Sequence, residues 1–139
     1  MAKQPSRDDP SKPKAHGYAY KKQFYQSADV AADYDEHRFR TPKRQRRNAR
    51  KWNAIQKALA LTNGVKTIVD LPCGTGRFTG HLARAGYTVV GSDISVEMMQ
   101  QAAKLPSVQH ANIAGYVRAD AESMPFPAKL PCPVSSHFL

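Results

Sequence analysis

Three aspartates, Asp70, Asp93 and Asp120, and two glycines one residue apart, Gly74 and Gly76, are the residues whose types and spacing could do chemistry. Asp70 closes the β-branched run Thr67-Ile68-Val69 and is followed by Leu71-Pro72-Cys73-Gly74-Thr75-Gly76, the pattern of a buried strand turning sharply into a helix. Glycines at such an elbow adopt angles other residues resist and let a ligand lie against the main chain. At the carboxyl ends of three parallel strands the acids would line one rim of a sheet, where open α/β folds bind ligands. Asp93 lies 23 residues after Asp70, near the offset of about 20 at which a second-strand acid meets ribose hydroxyls. Singly, each acid reads more readily as a helix cap or turn residue than as a ligand, while a plain βα turn is the lesser reading of the glycine pair. Three acids in register with the elbow favour a ligand rim, whereas Glu122 reads as solvated.

The ligand's class follows from the glycine spacing. A dinucleotide fingerprint needs G-x-G-x-x-G, but here Phe78-Thr79 precede Gly80 and place the third glycine one position late. Asp70 would also lie beside a pyrophosphate, which calls for amides without a neighbouring negative charge. A cationic nucleoside ligand suits the acids better, and an NAD-type dehydrogenase is correspondingly disfavoured.

The elements that must position these residues are legible in order. Residues 1–17 are polar and basic with little to bury, and are expected to be a flexible tail. Residues 18–64 read as a helical segment. In it Phe24, Ala28, Ala31 and Tyr34 or Asp35 share one face of a first helix, and Thr41-Pro42 opens a second that runs to about Leu61. Ala49, Trp52, Ile55 and Leu59 should form its inner face, with Asn63-Gly64 as the stop. After the elbow, Phe78, Leu82 and Ala85 mark a helix closed by Gly86. Tyr87 to Gly91 is the second strand, Ser95 caps a helix burying Met98 or Met99 and Ala102, and Tyr116 to Ala119 is the third strand. Strand, helix, strand, helix, strand requires a parallel sheet with right-handed crossovers. The expected fold is therefore α/β, a Rossmann-like sheet with flanking helices over residues 65–127, followed by an irregular tail at 128–139.

On these residues the chain resembles the class I S-adenosylmethionine-dependent methyltransferases, in the small-molecule, type 11-like group. Three stretches carry the resemblance: Val69 to Phe78 (V-D-L-P-C-G-T-G-R-F), Val89 to Met99 (V-V-G-S-D-I-S-V-E-M-M) and Arg118 to Phe126 (R-A-D-A-E-S-M-P-F). The resemblance implies the N-terminal half of that fold, about three strands, with S-adenosylmethionine as cofactor. It places the methionine end at Asp70 and the loop Cys73, Gly74, Thr75 and Gly76, the ribose at Asp93, and the adenine at Asp120 and the Ala121 amide. Ile94 and Met124 would flank the adenine, and Tyr34 would help to cover the cofactor. It leaves the catalytic side chains unassigned, and no metal is expected. Methyl transfer is an in-line displacement that needs alignment in a water-poor site, to an acceptor expected to be a small molecule.

Length and composition bound the rest. At 139 residues there is one core's worth of chain. Two cysteines offer neither zinc spacing nor a disulfide framework, and no apolar run approaches the roughly 20 residues of a membrane span. A cytoplasmic, non-membrane protein is the expectation. The net charge of +10 is concentrated early, with 14 Lys/Arg against 6 Asp/Glu in Met1 to Lys51 and 7 against 5 thereafter. Arg38 to Lys51 holds eight positive charges and no acid, which reads either as a solvated face or as a surface for phosphate backbones. A basic nucleic-acid-associating protein on a Rossmann-like scaffold is the alternative function. After Pro127 the sequence departs from the resemblance, lacking the F-D-x-V that would lead into a fourth strand. A truncated or frame-shifted chain is the expectation, with Thr67 to Leu71 left as an unpaired sheet edge.

Overall fold

The structure is a computed structural model that describes residues 24, 28–29, 31–32, 40–105, 112–127 and 133–134. Its elements in chain order are α1 (Pro42–Ala60), β1 (Thr67–Asp70), α2 (Arg77–Arg84), β2 (Thr88–Asp93), α3 (Val96–Lys104), β3 (Ile113–Arg118) and β4 (Pro133–Val134). Ahead of α1, Phe24, Ala28, Asp29, Ala31 and Ala32 are helical, and Ala31 is buried while Ala28 is exposed. Tyr34 and Asp35 lie outside the described residues.

The strands form a parallel sheet in the order β3-β2-β1-β4. Register sets the core, because Ile68 pairs with Val89 and Val89 with Ile113, so the three line up across one face. On that face pack Ile55 and Leu59 of α1 and Phe78, Leu82 and Ala83 of α2. Fully burying a side chain of this size stabilises by roughly 1.5–3 kcal/mol, so the β-branched strands and the two helices hold one another.

Thr41 caps α1 as its sequence requires, accepting from the Arg44 amide at 3.4 Å with proline in the first turn. The helix ends at Ala60, and Gly64 takes its left-handed angle, φ 78°, four residues later. Ala49, expected on the inner face, is exposed. The helix meets the sheet layer only from Trp52 onward, where the indole stacks on Phe78 at 6.3 Å and lies 5.0 Å from His81. In α2, Ala85 is likewise exposed as the C-cap, and Thr79 and Ala83 take the inner positions beside Phe78 and Leu82.

Three strands differ from the sequence reading: β2 runs from Thr88 to Asp93 rather than from Tyr87 to Gly91, so that Asp93 closes the strand. β3 begins at Ile113 rather than Tyr116: Ile113 pairs with Val89 and Gly115 with Val90, so a register shift leaves Ala114 as the extra, unpaired residue ahead of Gly115, whose φ is 154°. The expected unpaired edge of β1 is corrected, because Val69 pairs with Pro133 and Asp70 with Val134. A proline is tolerated there because an edge strand need not donate on both sides. Thr67 to Asp70 thus has β2 along its full length and β4 along its last two residues. Among the described residues no helix is long and apolar enough to cross a membrane.

Candidate functional site

β1 delivers Asp70 to the rim fully buried, and the chain then passes through a cis Leu71–Pro72 bond into the elbow. The Cys73 amide donates to the Ser92 carbonyl at 2.8 Å, which ties the elbow to the end of β2. Gly74 and Gly76 both take left-handed angles, φ 54° and 83°, and Gly76 is the N-cap from which α2 starts. At Gly74 an added Cβ would meet nothing within 4 Å, whereas at Gly76 it would lie 2.7 Å from the Ala102 Cβ. The first glycine therefore leaves open space above the loop, and the second lets the elbow touch α3. These are separate reasons for the two residues.

Asp93 joins the motifs. One carboxylate oxygen, Oδ2, accepts from the Gly74 amide at 2.8 Å, and the other, Oδ1, accepts from the Ser95 amide at 2.9 Å. Ser95 in turn caps α3, its Oγ accepting from the Met98 amide at 3.1 Å. Burial pushes the Asp93 carboxyl up from its ordinary value, and the amides of Ser95, Gly74 and Ile94 offset part of that rise. A carboxylate has about four acceptor positions, so each oxygen retains capacity for a ligand hydroxyl.

Asp70 lies beneath the elbow. Its Oδ2 accepts from the Thr79 hydroxyl at 2.7 Å, while Oδ1 has no hydrogen-bond partner among the described residues. Burial raises the carboxyl from 3.8 to about 7, opposed by the Thr79 hydroxyl and reinforced by the charge of Asp93. A carboxyl whose folded-state value is raised contributes stability that is fully present below its ordinary value and is lost as pH rises through the raised one. The midpoint of thermal unfolding is thus expected to fall as pH rises from about 4 to about 8, and Asp70→Asn to flatten that fall. An unchanged profile in the variant, followed by circular dichroism, would refute the assignment.

Cys73 is buried, and burial with the charges of Asp70 and Asp93 pushes its thiol well above its ordinary value, so it stays protonated and is no nucleophile. Thr75 is buried beside it. The ring of Tyr116 covers Gly91, where an added Cβ would lie 2.6 Å from the ring and 3.4 Å from the Cys73 sulfur. The Tyr116 hydroxyl is buried without a partner among the described residues, and burial pushes it to about 12.

Beyond β2 and β3 opens a cleft of about 260 Å³, lined by Ile94, Arg118, Ala119, Asp120, Ser123 and Pro125. It lies below the roughly 300–1,000 Å³ of a whole-ligand site, a size for one planar ring system. Asp120 holds its own turn, its Oδ1 accepting from the Glu122 amide at 3.1 Å and its carbonyl from the Ser123 amide at 2.9 Å. Ala121 is exposed, and Met124, 47% exposed, does not line the cleft. Its neighbours Ser123 and Pro125 do. Arg118, whose Nε donates to the Ile94 carbonyl at 3.2 Å, was not singled out in the sequence. Neither was Thr79, although a hydroxyl three residues past the elbow's last glycine was the available signal.

A parallel sheet with a glycine elbow, an acid clamping the second strand to that elbow and a small cleft beside the third defines the first half of a Rossmann-like α/β domain. The family profile described as a methyltransferase domain matches residues 68–137, and the chain belongs to that family, which is of the class I type. It is 43% identical over 68 residues to an uncharacterized methyltransferase of Synechocystis sp. (strain ATCC 27184 / PCC 6803 / Kazusa), covering 49% of this chain and 29% of that relative. A solved structure from work on the conversion of a disulfide bond into a thioacetal group during echinomycin biosynthesis superposes with a TM-score of 0.51 at 25% identity. That match covers 62% of this chain and 35% of the other. The chain therefore spans about a third of the length of these relatives.

Proposed function

We propose that the chain binds S-adenosylmethionine along the rim of β1, β2 and β3 and serves methyl transfer to a small-molecule acceptor. The observation that carries this reading is the double acceptance by Asp93 from the Gly74 and Ser95 amides. It holds the elbow, the second-strand acid and the α3 cap as one surface. The residues present fit the cofactor: Gly74 leaves the backbone open to a ligand, and Asp70 keeps an unpartnered buried oxygen beneath the loop, suited to attract a cation. Asp93 would accept from the ribose hydroxyls. Ile94 and Asp120 would receive the adenine in the cleft, with the exposed Ala121 and Met124 at its outer side. Cys73, Thr75 and Gly76 shape the loop that faces the methionine end.

The bound cofactor supplies a sulfonium methyl for in-line transfer to a nucleophile, chemistry that needs no covalent link to the enzyme. This half of the domain would contribute binding and orientation. Echinomycin biosynthesis, the setting of the solved relative, is the support for a small-molecule acceptor.

Calorimetric titration of the full chain with S-adenosylhomocysteine tests the reading, with NAD as a second arm and Asp120→Ala as a variant. Binding of S-adenosylhomocysteine alone, weakened about tenfold or more in the variant, is expected from the loss of one charged acceptor. Binding of NAD alone, or of neither by a folded protein, would overturn it.

A further inference from the structure

The cationic face of α1 takes no part in the rim. At about 100° per residue, Lys43, Arg46, Arg47, Arg50 and Lys57 fall within one arc of about 100° on the helix, and all five are exposed. Ile55 and Leu59 bury the far side against the sheet. The row extends about 21 Å at 1.5 Å per residue. The helix Pro42–Ala60 contains no acid, and its first turn carries Lys43 and Arg44 with no acidic residue. Cations at that end oppose the helix macrodipole. Among the described residues no carboxylate forms an ion pair with Lys43, Arg46, Arg47, Arg50 or Lys57. A partner that supplies negative charge along the whole row would relieve both the repulsion within it and the unfavourable polarity.

We propose that the exposed face of α1 carrying Lys43, Arg46, Arg47, Arg50 and Lys57 docks on the phosphate backbone of a nucleic-acid duplex. The charge complement is a uniform polyanion, which matches a row of cations along one helix face better than the scattered carboxylates of a protein surface. Guanidinium groups, three of the five, fit phosphate oxygens through paired N–H donors. A duplex is favoured over a single strand because base stacking needs a free aromatic, and Trp52 is already stacked on Phe78. An anionic membrane is disfavoured because a surface-lying helix inserts an apolar face, and the apolar face of α1 is committed to the core.

The test is fluorescence anisotropy of labelled mixed-sequence DNA and RNA duplexes with the full chain, across about 50 to 200 mM salt. About four phosphate contacts on DNA give a log–log salt slope near −3.6 and about a hundredfold loss over that range. In the triple variant Arg46→Glu, Arg47→Glu, Arg50→Glu, affinity should drop at least tenfold and the slope approach zero. Helix content by circular dichroism should be unchanged, because exposed glutamates suit the N-terminal half of a helix. The matching triple lysine variant keeps the charge and should retain most of the binding. DNA and RNA arms distinguish the source of the phosphates, and binding to either supports the proposal. Unchanged affinity in the glutamate variant overturns it, as does equal or tighter binding to phosphatidylserine vesicles or to polyglutamate. Loss of S-adenosylhomocysteine binding with duplex binding intact would fall on the rim and leave this surface standing.

Discussion

Replacing Gly76 by alanine is expected to cost about 2–5 kcal/mol of folding stability and to abolish ligand binding at the elbow. Two separate effects add. Gly76 has φ 83°, a left-handed angle that charges an L side chain roughly 1–2 kcal/mol. A Cβ there would also stand 2.7 Å from the Ala102 Cβ and 3.2 Å from its Cα, an overlap of the kind that costs about 1–3 kcal/mol. The second effect can be isolated by the double variant Gly76→Ala, Ala102→Gly. Removing the Ala102 methyl relieves the closer overlap but leaves the backbone angle and the tight approach to the main chain of α3, so partial recovery beyond simple additivity is expected in urea unfolding. Full stability in the single variant would mean that the elbow does not approach α3 in this way.

Asp93→Asn should weaken S-adenosylhomocysteine binding about 10- to 100-fold and destabilise the free protein as well. The carboxylate accepts from two backbone amides, Gly74 at 2.8 Å and Ser95 at 2.9 Å. An asparagine offers one oxygen, and its NH₂ would then face an amide that also donates. Leaving such a buried donor unsatisfied costs about 1–3 kcal/mol. Faster hydrogen exchange at the Gly74 or Ser95 amide, seen without ligand, separates this positioning role from a loss of the proposed ribose contacts. Unaltered exchange together with intact binding would remove Asp93 from both roles.

Much of the site was legible because its signals are local. The β-branched run into Asp70, the two glycines, and Ser95 as a cap each follow from backbone preferences within a few residues. Offset and order then place Asp93 and Asp120 at successive strand ends. What the sequence hid depends on neighbours. The stretch up to Ala114 reads as loop, yet Ile113 pairs with Val89 and with Ala114 already belongs to β3. Pro133 reads as unfit for a sheet, yet an edge position tolerates it. The Thr79 bond to Asp70 and the Tyr116 ring over Gly91 join residues 9 and 25 apart, and no periodicity in either segment indicates them. Arg118, Ser123 and Pro125 line the cleft because the turn held by Asp120 folds back, leaving Met124 facing outward.

The stacking of Trp52 on Phe78, beside His81, has an optical consequence. The chain contains a single tryptophan, so its intrinsic emission is a signal of the seam between α1 and α2 alone. His81 accepts from the Arg84 guanidinium at 2.6 Å, and burial lowers its pKa, so the indole's neighbour is a neutral imidazole at neutral pH. Detachment of α1 would expose the indole to water and shift its emission to the red. Occupation of the cleft at Ile94 and Asp120 would leave it nearly silent, and one fluorophore already in the chain can distinguish undocking of the helix from filling of the rim.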